Sequence, residues 1–290
     1  MYPRIQPKWR LVYGCGCVQS AAELVLCLFC VVSLICSALK YPLLDLKPFL
    51  GEIIGMNREN ILSKPKTRVN GLLKNVYLWM TAGLALTGIV SYGVANNERL
   101  LVSLYSSGVL FAVIIAQFVL VFVLSAHLER MSTGAAVGSF IAYSVLNGIM
   151  LSSVFIAYTS VTVTRAFFTT ALMFAGMSLY AMFTKKDLSS WGSVLLMAIW
   201  GILIASLVNM FFRAESIYYL ISIAGVVIFA GLTAWDTQKL MRINDSYGYD
   251  IDEASFVKLS IIGALSLYLD FINIFLYLLR IFGSSRSNRN

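Results

Sequence analysis

Charged residues are scarce in this sequence, and histidine occurs once. Only 12% of the residues are charged, whereas 59% are hydrophobic. Soluble domains carry about 25% charged residues, so the composition excludes a soluble globular fold and indicates an integral membrane protein. The sequence has no His-Glu-x-x-His zinc motif, no Gly-rich phosphate-binding loop and no Gly-x-Ser-x-Gly nucleophile. Metalloprotease chemistry and ATP-driven transport are therefore excluded, and we expect a protein that is not an enzyme.

Long apolar runs take up most of the remaining chain. A membrane-spanning helix needs about 20 apolar residues, and seven segments meet that requirement. They are Val76–Val94, Ser107–Ala126, Ala135–Tyr158, Ala166–Phe183, Trp191–Phe211, Ile217–Asp236 and Leu259–Ile281. Since the connections are short, we expect an all-α bundle of seven helices over residues 56–283, with no further catalytic or nucleic-acid-binding domain, and a disordered tail over residues 284–290.

The net charge of +8 is concentrated at a few connections. With a cytoplasmic N-terminus, the main basic clusters fall on one side of the membrane, as the positive-inside rule requires. They are Arg58, Lys64, Lys66, Arg68 and Lys74 before the first span, Lys185 and Lys186 between spans, and Lys239, Arg242 and Lys258 near the last two. We therefore read the charge as a marker of orientation in a lipid bilayer, and no nucleic-acid partner is expected.

Residues 1–55 form a leader that does not fit the seven-span pattern. All five cysteines lie there, and three of them are embedded in the apolar run LVLCLFCVVSLICSAL. The leader is interpretable as a signal peptide or as an extra span, but an extra span would move the basic cluster before Val76 across the membrane. The simpler hypothesis is a functional start at Met56, which an intact-mass measurement of natively expressed protein tests. No histidine accompanies the cysteines, so apolar packing is favoured over metal binding.

Two aspartates stand in the last apolar segments. Asp270 lies near the middle of its span, and Asp236 lies at the end of the preceding one. An ionised carboxylate in a bilayer costs about 3 kcal/mol or more, so each must face the bundle interior, bind a proton or find a partner. On the last helix, Asp270 shares a stripe of three- and four-residue spacings, and such a small and polar stripe packs against other helices. The stripe is Gly263, Ser266, Asp270, Asn273 and Tyr277.

Each candidate also has a simpler interpretation. Asp270 is also interpretable as a hydrogen-bonded residue that joins helices, and Asp236 as an interfacial charge beside Trp235. The only histidine, His127, is typical of a solvated helix end, although it titrates near neutral pH. Gln117 and Asn273 are typical of interhelical hydrogen bonds. We retain these last three residues as auxiliary candidates for the site.

The C-terminal segments resemble a known family. GALSLYLDFINIFLYLLRIFG (Gly263–Gly283), with QFVLVFVLSAHLERMS, LNGIMLSSVFIAYT and GLTAWDTQKLMRI before it, is similar to the transmembrane Bax-inhibitor-motif (Bax inhibitor-one) family, particularly its bacterial YccA-like branch. The resemblance covers about four-fifths of the chain, from Met56 onward. It implies seven helices, the last one central, and a pH-sensitive calcium leak in which Asp236 and Asp270 act as a proton-dependent latch. It also implies a bacterial cytoplasmic membrane. Many relatives carry Glu in place of Gln117 and Arg in place of His127, so the latch here differs in detail.

Paired carboxylates explain how such a latch works. Two carboxylates in a low-dielectric site do not both ionise easily, so they share a proton at low pH and repel each other when it leaves. Ca²⁺ prefers carboxylate and carbonyl oxygens and competes with that proton, but two carboxylates give only a weak site. We therefore expect Ca²⁺ as the transported ion and no cofactor. The alternative is a non-conducting membrane regulator that binds other membrane proteins in stress, cell-death or protease control.

Overall fold

The computed structural model describes residues 31–38, 71–106, 109–126, 131–212, 214–247 and 253–284. Residues 31–38 are helical, and eight further helices follow in these ranges. They are α1 (Gly71–Ala95), α2 (Glu98–Ser106), α3 (Val109–Ala126), α4 (Thr133–Ala157), α5 (Ser160–Phe183), α6 (Trp191–Phe212), α7 (Glu215–Tyr247) and α8 (Glu253–Ser284). The leader residues outside 31–38, the basic residues 58–68, His127 and the tail from residue 285 lie outside the described residues.

The seven-span prediction is confirmed. Within the described residues, six helices are long and apolar enough to cross a membrane, namely α1, α4, α5, α6, α7 and α8. The remaining span corresponds to α3, whose 18 residues rise about 27 Å, just under the roughly 30 Å of a hydrocarbon core. Outward-facing side chains are strongly apolar, with Leu172 74% exposed and both Phe183 and Phe211 81% exposed. Such a surface belongs in lipid, and the protein is a multi-pass integral membrane protein.

The last helix is the centre of the bundle, as expected. Helix α8 packs against α7, α1, α5 and α4, and every residue from 259 to 280 is buried. The stripe that begins at Gly263 is thus covered, but so are the Leu, Ile and Phe side chains on the other faces. Neighbouring helices therefore surround its whole circumference and not the polar stripe alone. The last helix therefore forms the hydrophobic core of the bundle.

Helices α7 and α8 lie antiparallel with a regular register. A Cβ atom on Gly263 would lie 2.8 Å from Leu240, and one on Gly225 would lie 2.5 Å from the Tyr277 ring. Between these two close approaches, Ser266 on α8 bonds to Asp236 on α7. The polar stripe of α8 therefore faces α7 along most of its length.

The span predicted to end at Asp236 continues much further as a helix. Helix α7 runs to Tyr247, because no glycine or proline interrupts TQKLMRINDSY and most of these residues tolerate helix well. The hydropathy of the sequence falls after Asp236, but the backbone stays α-helical. Asp236 therefore lies well inside a helix. The other spans agree within a few residues, except that α1 begins five residues earlier and that α5 and α8 each begin six residues earlier, at Ser160 and Glu253. The earlier start of α5 places Arg165 on a helix and not in a loop.

One end of the bundle collects the basic residues. Arg242 on α7 donates to Asp187 in the α5–α6 connection over 2.7 Å, and the Tyr77 and Thr237 hydroxyls are 3.3 Å apart. These contacts place the start of α1, the α5–α6 connection and the second half of α7 at the same end. The described members of the predicted basic side therefore lie together: Lys74, Lys185, Lys186, Lys239, Arg242 and, at the start of α8, Lys258.

Part of the leader lies inside the bundle. The eight residues 31–38 form a helical segment in which Leu34, Cys36, Ser37 and Ala38 have no exposed surface. The Cys36 thiol interacts with the Tyr143 hydroxyl of α4, and Asn273 on α8 donates to Ser37 over 3.0 Å. Cys36 is a free, buried cysteine, as expected for apolar packing.

Candidate functional site

Asp236 is held by a direct hydrogen bond to the central helix. The Ser266 hydroxyl donates to its Oδ2 over 2.6 Å, which is the length of a strong bond to a carboxylate. Asp236 is only 3% exposed, and its helix continues for several turns beyond it. The position is therefore an interhelical one in the interior of the bundle, and not that of a charge at a helix end.

Asp270 lies one helical turn from this bond. It is fully buried on α8 and four residues after Ser266, which corresponds to about 6 Å along the helix axis. Residues four apart lie on the same face of a helix, and the register of α7 and α8 directs that face toward α7. The two aspartates thus lie on facing helices, about one turn apart, with Ser266 at the level of Asp236.

Apolar and hydroxyl side chains enclose the pair. Thr233, three residues before Asp236, and Thr237, the residue directly after it, have no exposed surface, and the Thr233 hydroxyl donates to the Phe229 carbonyl over 2.9 Å. Among the described residues, no group of three or more His, Cys, Asp and Glu lies close enough to hold a metal ion. A cation at this site would therefore have the two carboxylates and neutral hydroxyl or carbonyl oxygens as ligands, a set suited to weak Ca²⁺ binding.

The auxiliary candidates lie in different places. Asn273 follows Asp270 by one turn and donates to the Leu269 carbonyl over 2.8 Å as well as to Ser37. Gln117 is 1% exposed on α3, and neither end of its amide has a hydrogen-bond partner in the described part of the chain. The structure thus places Asn273 on the stripe that carries Asp270, and it does not describe His127.

Two contacts of this region were not predicted from the sequence. Ser266 was recognised as part of the stripe, but its bond to Asp236 was not predicted. Its spacing of four from Asp270 was the available signal. Gln238, two residues after Asp236, bonds to the backbone of the α5–α6 connection. No local pattern indicates that contact, because its partners lie about fifty residues away.

Comparison with known proteins gives the family. The model of the family described as inhibitor of apoptosis-promoting Bax1 matches residues 69–287, which include all eight helices α1 to α8. The chain belongs to the Bax inhibitor family. The resemblance found in the sequence is thereby confirmed, and residues 31–38 lie outside the matched region.

Bacterial relatives match over nearly their whole length. The chain is 44% identical to the inner membrane protein YbhL of Escherichia coli K12 over 230 residues, which cover 79% of this chain and 98% of that protein. It is 42% identical over 233 residues to a protein of Deinococcus radiodurans, covering 80% and 96% of the two chains. A protein of Borreliella burgdorferi is 41% identical over 220 residues, covering 76% and 94%. Membership therefore rests on the whole bundle and not on one motif.

Proposed function

We propose that this protein is a pH-sensitive cation leak, with Ca²⁺ as the transported ion and Asp236 and Asp270 as its proton-dependent gate. One observation carries the proposal: a buried carboxylate on α7 is bonded to the central helix one turn from a second, fully buried carboxylate. Membership of the Bax inhibitor family supports a membrane role. Intramembrane ionisable residues that face a bundle interior mark ion or proton pathways more often than they serve packing alone.

The closed state contains a shared proton. At low pH the two carboxylates together carry at most one negative charge, and the Ser266 hydroxyl bonds to Asp236. Helices α7 and α8 then stay in contact along the polar stripe. When the last proton leaves, two negative charges about one turn apart repel each other in a medium of low dielectric constant. Separation of the helices and entry of water lower this repulsion, and a path between α7 and α8 opens.

Ca²⁺ competes with the proton for the same oxygens. A hard divalent cation neutralises both carboxylates, and hydroxyl groups and water complete its shell. Because the protein supplies only two negative charges, the ion is bound weakly and leaves again, as permeation requires. Because the two ions compete for the same oxygens, more Ca²⁺ is needed to occupy the site at low pH than at high pH.

The membrane and the orientation follow from charge and from the relatives. We place the protein in a bacterial inner membrane, the location given in the name of the E. coli relative. The end that carries Lys74, Lys185, Lys186, Lys239 and Arg242 faces the cytoplasm under the positive-inside rule. Asp236 is thus reached from the cytoplasmic half of the bundle.

Ca²⁺ flux in proteoliposomes tests the proposal. We would compare the parent with Asp236→Asn, Asp270→Asn and the double variant between about pH 5 and pH 8, where a shared proton is expected to leave. The parent should show flux that rises with pH, and each variant should lose most of that dependence. Asp245→Asn is the matched control, because Asp245 lies on the same helix but is exposed, and its flux profile should match the parent.

The outcome also separates the second candidate function. The family description names inhibition of another protein, which favours a non-conducting regulator that binds membrane partners. A parent that moves no Ca²⁺ at any pH, while remaining folded, would exclude the leak and leave the regulator. Flux that keeps its pH dependence in all three aspartate variants would show a leak with a different gate.

A further inference from the structure

The connection between α5 and α6 is fastened to α7 by one glutamine. The Gln238 Oε1 atom accepts from the Leu188 N–H over 2.8 Å, and its Nε2 group donates to the Lys186 carbonyl, also over 2.8 Å. One side-chain amide thus satisfies a backbone donor and a backbone acceptor of residues 184–190. Both bonds are short and need a fixed rotamer, so they fix the position of the connection along α7 and around it.

Arg242 adds a second attachment one turn further along α7. It donates to Asp187 over 2.7 Å and also bonds to the Ser189 hydroxyl. Asp187 in turn accepts from the Ser189 N–H and hydroxyl, which keeps the connection tightly turned. The side chains of this ion pair are 41% and 73% exposed, and exposed pairs contribute little energy. We therefore regard Gln238 as the stronger attachment.

Packing holds the same side of α7. Trp235 lies against the start of α6 so closely that a Cβ atom on Gly192 would be 2.5 Å from its ring. Ala234 is buried with Leu188 of the connection and Ala181 of α5. We call the attached set the α5–α6 clasp: Gln238 and Arg242 with residues 184–190, and Trp235 with Gly192. Its α7 members flank Asp236 in sequence on both sides.

The clasp and the gate lie on different faces of α7. Ala234, Gln238 and Arg242 follow one another at intervals of four, which defines one face of a helix. Asp236 and Leu240 are offset from them by two residues, about 200° around the axis, and they contact Ser266 and Gly263 of α8. A contact that fixes one face of a helix against rotation also fixes the other. A side-chain oxygen about 5 Å from the axis moves about 2.5 Å when the helix turns by 30°, enough to break the bond from Ser266.

We propose that the α5–α6 clasp sets the rotation of α7, and that Gln238 is the positioning residue that holds Asp236 against the central helix. This inference rests on the proposed function and adds to it the element that decides how readily the gate opens. Release of the clasp frees α7 to turn Asp236 away from Ser266 and from the level of Asp270. The closed state is then less stable, and opening begins at lower pH.

The acid–base groups around α7 favour Asp270 as the partner in this pH response. Asp270 is the carboxyl on the face that Asp236 contacts, and α6 has no titratable side chain. The other titratable or charged groups on the described elements packed against α7 are Lys74, Tyr77 and Tyr92 on α1, Arg165 and Tyr180 on α5, Lys185, Lys186 and Asp187 in the clasp, and Glu253, Lys258, Tyr268, Tyr277 and Arg280 on α8. Those on α7 itself, with described side chains, are Glu215, Tyr218, Tyr219, Lys239, Arg242 and Asp245.

Two measurements on the full-length chain test the proposal. The first is Ca²⁺ flux against pH for Gln238→Leu, which removes both bonds, and for Gln238→Glu, which keeps the acceptor and loses the donor. The second is hydrogen exchange of the amides in residues 184–190, which reports release of the clasp without any ion transport. Asn244→Ala is the control, because it removes a half-buried amide from the same helix outside the clasp.

We expect faster exchange in both Gln238 variants and a flux midpoint lower by about half to one pH unit in Gln238→Leu. Gln238→Glu should lie between that variant and the parent, and Asn244→Ala should match the parent. Faster exchange with an unchanged midpoint, even at reduced flux, would overturn the positioning role and leave the leak intact. If the parent shows no flux, the proposed function fails and this inference fails with it. Unchanged exchange in Gln238→Leu would show that Gln238 does not hold the clasp.

Discussion

Tyr268 donates its hydroxyl to Thr87, and this bond joins the central helix to α1. The two oxygens are 2.8 Å apart, and the Thr87 hydroxyl donates its own hydrogen bond to the Ser144 carbonyl of α4 over 2.9 Å. Because Thr87 has one proton and donates it to Ser144, Tyr268 must be the donor of the first bond. All three residues are buried. A continuous chain of hydrogen bonds therefore connects α8, α1 and α4 on the side of α8 away from the aspartates.

Substitutions of Tyr268 and Thr87, whose hydroxyls bond to each other, should have coupled effects on the free energy of unfolding. Tyr268→Phe removes one donor and should cost about 0.5–1.5 kcal/mol of unfolding free energy, whereas Thr87→Val leaves the Tyr268 hydroxyl buried without its acceptor and should cost about 1–3 kcal/mol. The double variant should lose less unfolding free energy than the sum of the two single losses. Tyr268→Phe then removes a hydroxyl that Thr87→Val has already left without an acceptor. Reversible unfolding in detergent measures all three, and simple additivity would contradict the bond.

Ser266→Ala should destabilise the bundle more than a matched serine change on the same helix. It removes a 2.6 Å donor to a buried carboxylate, and bonds to charged groups contribute about 1.5–3 kcal/mol. Ser260 is the control, since it is also buried and donates only to the Phe256 carbonyl of its own helix over 2.8 Å. Ser260→Ala should cost well under 1.5 kcal/mol. Equal losses of thermal stability in Ser266→Ala and Ser260→Ala would mean that the bond from Ser266 to Asp236 does not stabilise the bundle.

The number and order of the spans, and the stripe on the last helix, were predictable from the sequence. Hydropathy over about 20 residues decides which segments cross a bilayer, and spacings of three and four decide which residues share a face. Gly263, Ser266 and Tyr277 were grouped by this spacing, and the structure places all three against α7. Family resemblance supplied the central position of α8, which spacing alone does not give.

Other features depend on contacts that no local pattern encodes. The length of α7 was underestimated, because hydropathy ends at Asp236 whereas helix propensity continues to Tyr247. The bonds of Gln238 join residues about fifty positions apart, and its sequence neighbourhood is typical of any polar helix end. The burial of residues 31–38 is likewise tertiary, since an apolar run alone is equally typical of a signal peptide. Helix ends and distant partners therefore required the structure.

The clasp should stay intact over the pH range in which the gate is proposed to work. Hydrogen bonds from Ser189 and the nearby Arg242 charge lower the pKa of Asp187 below its ordinary value of 3.8. A carboxyl with a lowered pKa in the folded state contributes stability above its ordinary pKa, and this contribution is lost as pH falls through the lowered one. Amide exchange of residues 184–190, corrected for intrinsic rates, should be constant from about pH 8 to pH 5 and rise only below about pH 4. A change between pH 5 and pH 8 would assign part of the pH response to the clasp.

Gly148 should be the least replaceable glycine of α4. A Cβ atom there would lie 2.9 Å from the Thr87 carbonyl and 2.7 Å from Val90 Cβ, both on α1. Neither atom is the end of a flexible side chain, so α1 and α4 would have to separate, and overpacking of this kind costs about 1–3 kcal/mol. Gly138 lies on the same helix with nothing within 4 Å of its added Cβ. Gly138→Ala should therefore be neutral or stabilising by up to about 1 kcal/mol, since alanine is the better helix former. Thermal unfolding of the two variants in the same detergent compares them directly.

The separation of α1 from α4 also moves Thr87, so Gly148→Ala should weaken the Thr87–Tyr268 bond. Adding Tyr268→Phe to Gly148→Ala should therefore cost less unfolding free energy than adding it to the parent. Equal stability of Gly148→Ala and Gly138→Ala would show that the two backbones are not in contact at this point.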